Sequence, residues 1–120
     1  MKVDVREKGD VIIVDLAGRL VTGGGDRLLR DVINELVAEG RKKILLNLSQ
    51  VSWIDSSGIG EMMAGIRMGE RFGSSIKLLR IGDKVQHVLS ISQLLPLLDV
   101  YEDEGEAVAS FTNQPDSAGE

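Results

Sequence analysis

The stretch Ile44-Leu45-Leu46-Asn47-Leu48 leads into Trp53-Ile54-Asp55-Ser56-Ser57-Gly58-Ile59-Gly60-Glu61-Met62-Met63, and the join between them decides the fold. The first segment is apolar at nearly every position, so both of its faces call for burial. That pattern marks an interior strand of a sheet covered by helices. The second segment changes period: Ile59, Met62, Met63 and Ile66 recur at three- and four-residue spacing, one stripe of a helix. A buried strand feeding an amphipathic helix is the repeating unit of an α/β domain. Between the two sit an acid, two hydroxyls and a glycine.

The flanks extend the alternation. Val3 and Val5 alternate with charged residues, as in a half-buried strand; Lys8-Gly9-Asp10 reads as a tight turn, and Val11 to Leu16 as a second, more buried strand of an antiparallel hairpin. Gly18 to Gly25 is a loop that includes Gly23-Gly24-Gly25. Asp26 is placed to cap a helix whose stripe is Leu28, Leu29, Val32, Ile33, Leu36 and Val37, with Gly40 as its terminator. After the serine-bearing helix, which ends near Gly73, Ile76 to Ile81 reads as a strand. Asp83 to Gln86 has capping-box spacing ahead of Val85, Val88 and Leu89. Pro96 interrupts the run Leu94 to Leu98, and Val100-Tyr101 is a brief extended segment. Asp103 to Glu106 is a second capping box, leading a last helix through Phe111. The order β-β-α-β-α-β-α-(β)-α predicts a mixed four- to five-stranded sheet with helices packed on it and right-handed parallel crossovers. The folded domain is expected over 1–112, with the polar residues 113–120 as a flexible tail.

Composition narrows the function. A chain of 120 residues with 42% hydrophobic residues makes one domain with a real core. It has no cysteine, which excludes disulfides, thiolate catalysis and cysteine-based zinc sites. No apolar run approaches the roughly 20 residues of a membrane helix, and the charged start MKVDVREKGD is unlike a signal peptide. The expectation is a cytoplasmic protein with no membrane association. A net charge of −5 and few aromatic residues argue against direct nucleic-acid binding.

The serine loop admits three readings. Asp55 and the serines are ordinary helix caps, since a side-chain oxygen accepts from an orphan N–H. Alternatively the loop is a ligand or phosphate site, because it lies beyond the carboxyl end of a strand and at a helix N-terminus. The third is a hydrolase nucleophile, but D-S-S-G-I-G lacks the G-x-S-x-G frame, and the lone His87 falls in a helix with nothing to aim it at Ser56. Gly23-Gly24-Gly25 lacks the G-K-[ST] ending of a phosphate loop and is followed by Asp26. Glu102-Asp103-Glu104 reads as a solvated helix start and not a metal site; Met62 and Met63 read as core, Met68 as more exposed. No cofactor, metal or enzymatic activity is expected.

The run Leu46-Asn47-Leu48-Ser49-Gln50-Val51-Ser52-Trp53-Ile54-Asp55-Ser56-Ser57-Gly58-Ile59-Gly60 resembles the signature of STAS-domain anti-sigma factor antagonists: an apolar strand, a short L-S-x-V turn, an apolar or aromatic pair, then D-S-[ST]-G-[LI]-G. The resemblance implies a bacterial partner switch. The unphosphorylated antagonist binds an anti-sigma factor that is also a serine kinase of the histidine-kinase-like ATPase type. Phosphorylation of the first serine releases it, and a PP2C-type phosphatase resets it. Carried onto this chain, the acceptor is Ser56, and the partner face comprises Asp55, Ser57, Gly58, Trp53, Arg19 and Thr22. The chain departs from the family where many members read G-E-L-D: Gly18-Arg19-Leu20-Val21 reverses one charge and removes a carboxylate near the acceptor. The alternative is a STAS scaffold or regulatory module of another signalling pathway, not controlled by Ser56 phosphorylation. The STAS tail of an anion transporter and a nucleotide hydrolase fit the residues less well.

Overall fold

Ile44, Leu46 and Leu48 turn to one side of the sheet and Leu45 to the other, and all four are buried. Their strand lies at the centre of five. The computed structural model describes residues 1–112. Along the chain these form β1 (Lys2–Lys8), β2 (Val11–Leu20), α1 (Gly25–Ala38), β3 (Lys43–Ile54), α2 (Ser56–Arg71), β4 (Ser75–Leu79), α3 (Asp83–Ile91), a 3-10 turn (Leu95–Leu97), β5 (Val100–Tyr101) and α4 (Glu104–Thr112). The strands lie in the order β1-β2-β3-β4-β5, antiparallel between β1 and β2 and parallel thereafter. This is the mixed α/β sheet read from the sequence, with five strands.

Each parallel crossover steps to the next position in the same direction. Right-handed connections taken that way place their helices on one face, and α1, α2 and α3 do share one face. There Leu29, Ile33, Leu36, Met62, Met63, Ile66, Val85 and Leu89 pack on Ile12, Val14, Ile44, Leu46 and Leu78. The opposite face is covered by α4, whose Ala107 and Phe111 pack on Val11, Ile13, Leu45 and Leu79. Gly40 ends α1 with φ +82, a left-handed position that suits glycine; its N–H donates to the Val37 carbonyl, and that of Arg41 to Leu36.

Local expectations fail at five places, the first being Gly18 to Leu20, read as loop, which extend β2. Residues 48–54, read in part as a turn, continue β3, because they still pair with β2 after a register shift beyond Asp15. Pairing with β4 stops at Asn47–Leu79, so the ends of β2 and β3 run on past β4 as a two-stranded ribbon. β4 itself ends at Leu79, since Arg80 takes a left-handed φ of +50. Asp83 does not cap α3: it is already the first helical residue, after Gly82, and its side chain makes no cap bond. Nor does Asp26 cap α1, whose cap position is Gly24. Of the second capping box one half forms: Asp103 caps α4, with the Glu106 N–H donating to its Oδ2 at 2.9 Å. The expected tail, 113–120, lies outside the described residues.

Candidate functional site

The ribbon of β2 and β3 ends in two loops, and each continues into a helix. One residue, Asp55, separates β3 from α2. Its extended backbone (φ −109, ψ −176) leaves its carboxylate over the helix start, where Oδ1 accepts from the Gly58 N–H at 2.9 Å. Oδ2 reaches across to the other loop and accepts from the Thr22 N–H at 3.0 Å and from Thr22 Oγ1 at 3.1 Å. The Thr22 and Gly58 amides hold the Asp55 carboxyl below the usual carboxylate range.

A second bond runs the other way. Asp26, in the first turn of α1 and only 7% exposed, accepts from Ser57 Oγ at 2.6 Å through Oδ2. Its Oδ1 accepts from the N–H groups of Gly24 (3.2 Å) and Arg27 (2.8 Å). The Ser57 hydroxyl and then these amides lower its pKa. Each loop therefore gives one carboxylate to a hydroxyl of the other: Asp55 to Thr22, Asp26 to Ser57. The spacing that marks Asp26 as a cap hid this role, because Ser57 is 31 residues away; the available signal was an acid in a helix's first turn that no cap bond required.

Two glycines let the loops close. A Cβ on Gly25 would strike the Arg19 carbonyl oxygen and come within 3.0 Å of Leu20 Cα; one on Gly58 would strike the Leu20 carbonyl oxygen and come within 2.9 Å of its Cγ. Both helix starts thus rest on the end of β2. Gly58 is buried, and the surface that approaches it closely is its own chain's Leu20.

The other expected residues gather at this end. Ser56 is the first residue of α2 and is exposed. Thr22 bonds to Asp55, Ser57 to Asp26, and Ser52 Oγ donates to the Gly18 carbonyl at 3.3 Å. Among the described residues the Ser56 hydroxyl makes no such bond. Trp53, 40% exposed, is the register partner of the exposed Arg19 at the ribbon's end. His87 lies exposed on α3 and gives the serine loop no base. Met62 and Met63 are buried and Met68 half-buried. Among the described residues no group of three His, Cys, Asp or Glu side chains is placed to hold a metal, and no helix is long and apolar enough to cross a membrane.

The site is thus a hydroxyl offered at a helix N-terminus, braced by two carboxylates turned inward. The family model of the STAS domain matches residues 2–107. The chain belongs to the STAS domain family. Its STAS relatives include the anti-sigma-B factor antagonist of Bacillus subtilis, 26% identical over 100 residues, which are 83% of this chain and 90% of the relative. Among solved STAS structures, TM1081 of Thermotoga maritima aligns with a TM-score of 0.84 at 26% identity, covering 92% of this chain and 95% of that one. The Bacillus cell fate determinant SpoIIAA, solved in its phosphorylated form, aligns with a TM-score of 0.70 at 22% identity over 92% and 99% of the two chains. This last likeness is one of fold.

Proposed function

We propose that this STAS chain is a cytoplasmic anti-sigma factor antagonist, bound to its partner through the ribbon end and the start of α2 and released by phosphorylation of Ser56. The observation that carries the reading is the standing of Ser56 among its neighbours. It is the exposed hydroxyl left uncommitted where Thr22, Ser57 and Ser52 are each bonded inward. The phosphorylated form of SpoIIAA, a fold relative, and the antagonist from Bacillus subtilis support the same reading. The partner proposed is an anti-sigma factor and serine kinase of the histidine-kinase-like ATPase type, with a PP2C-type phosphatase as the resetting enzyme. The chain itself catalyses nothing in this scheme.

The physics is local. A phosphate adds about −1.5 to −2 charges and three acceptor oxygens. At Ser56 that charge lies beside the positive end of α2, so the fold tolerates it. Within a closed interface the same charge must be desolvated, and a change of about 2.7 kcal/mol already weakens binding about a hundredfold. Trp53 supplies an exposed aromatic anchor, and Arg19, its register partner, places an exposed cation beside it.

The test is incubation with the genome's histidine-kinase-like ATPase and Mg-ATP, followed by mass spectrometry of the intact chain and its fragments. One phosphate on Ser56, absent from Ser56→Ala, is the expected result. Binding to the same ATPase should persist in Ser56→Ala and fall about a hundredfold or more in Ser56→Glu. Equal binding by all three chains would overturn the switch and favour a STAS module of another pathway. If Arg19→Glu changes neither binding nor phosphorylation, Arg19 has no place in the interface.

A further inference from the structure

We propose that Asp26 decides which of the two adjacent serines can carry a phosphate, by holding the Ser57 hydroxyl and excluding negative charge from it. Ser56 and Ser57 are chemically identical and one residue apart, yet the structure sets them in opposite surroundings. Ser57 is half-buried and donates to Asp26 Oδ2 at 2.6 Å. Asp26 is buried, and its other oxygen is held by the Gly24 and Arg27 amides. Ser56 is exposed and, among the described residues, its hydroxyl has no carboxylate bonded to it.

Phosphoryl transfer to a serine breaks the Oγ–H bond and forms Oγ–P; the γ-phosphoryl group leaves ATP, ADP departs, and the proton goes to base or solvent. At Ser57 that exchange removes the hydrogen that Asp26 accepts. It also sets a group of about −1.5 to −2 charges against a buried carboxylate within one hydrogen-bond length. The burial of Asp26 weakens the screening of that repulsion. The neighbouring cation, Arg27, is exposed and offers Asp26 only its backbone N–H. At Ser56 the same group projects into solvent at the N-terminus of α2. The inference deepens the reading of Ser56 as the acceptor, but its test needs neither kinase nor partner.

Phosphoserine is installed during translation at position 56 or at position 57 of the full chain, with and without Asp26→Asn, and thermal unfolding is measured. The chain phosphorylated at 56 should melt within about 2 °C of the unmodified one. The chain phosphorylated at 57 should melt lower by about 8 °C or more, and Asp26→Asn should restore at least half of that loss. Ser57→Ala removes the hydrogen bond without adding charge and should cost only about 5 °C. Where the chain phosphorylated at 57 fails to fold, recovery of folded protein in Asp26→Asn replaces the melting shift. Equal melting of the two phosphorylated chains overturns the proposal. So does a loss at 57 that Ser57→Ala reproduces in full or that Asp26→Asn leaves unchanged. These outcomes stand apart from the kinase assay, so either reading can fall without the other.

Discussion

The two faces of the sheet are built differently. Under α1, α2 and α3 the core cluster is apolar, and the bonds of Asp55 and Asp26 lie in the loops at its end. Under α4 the apolar cluster is small and a lysine is buried within it. Lys77, 3% exposed, donates to Ser110 Oγ at 2.9 Å, with its ammonium 4.7 Å from the Phe111 ring and 5.5 Å from that of Tyr101. Glu104, at the start of α4, accepts from Arg6 at 2.6 Å and from Lys8 at 3.1 Å, and Arg6 also reaches Asp15 at 2.6 Å. The difference teaches where the site gains its rigidity. Both helices that carry the serine loop and its brace stand on the larger apolar face; the last helix is held on the other by Ala107 and Phe111 together with directional, charged bonds.

If the faces act separately, damage to one should leave the other's signature intact. Phe111→Ala should cost about 4 kcal/mol in urea unfolding, the largest effect expected. The amide shifts of Asp55 to Ile59 should nonetheless stay in place, and movement there would break the comparison. Gly58→Ala should do the reverse. It should cost about 2–3 kcal/mol, because its Cβ meets the Leu20 backbone, and should displace the amides at the start of α2. Asp55→Ala removes the cap and the tie to Thr22 together, and should cost about 1–2 kcal/mol by the same measurement.

Glu104→Gln tests the charged face and should cost about 1 kcal/mol at neutral pH, discounted for the partial exposure of its partners. Hydrogen bonds from Arg6 and then Lys8 push the Glu104 carboxyl down to about 2 from an ordinary 4.5. A depressed carboxyl contributes fully above its unfolded value and loses that contribution as pH falls through its folded one. The difference in melting temperature between wild type and Glu104→Gln should therefore be constant above pH 4.5 and shrink toward pH 2. A difference that persists to pH 2 would remove the ion pair from the account.

The fold was legible because its signals are local and repeated. The run Ile44 to Leu48 declares a strand buried on both faces, and the stripe through Ile59, Met62, Met63 and Ile66 declares the helix after it. Asp55 to Gly58 was legible as a helix start, and the D-S-S-G run carried the family. What escaped depends on pairing between distant elements. Residues 48–54 look like a turn until β2 lies beside them. Asp83 has the spacing of a cap, but Gly82 takes that position. The bond from Ser57 to Asp26 joins helix starts that only the sheet brings together.

The order of strands across the sheet is also their order along the chain. Each new strand adds beside the one synthesised before it, and none must wedge between two already paired. On a ribosome the β1–β2 hairpin can form first, and every later strand finds a finished edge waiting. Docking β3 brings the serine loop against the glycine loop before β4, β5 and α4 have emerged. The serine loop and its brace are thus among the first tertiary contacts the nascent chain can make, and the ion-paired helix, arriving last, closes the back of the sheet.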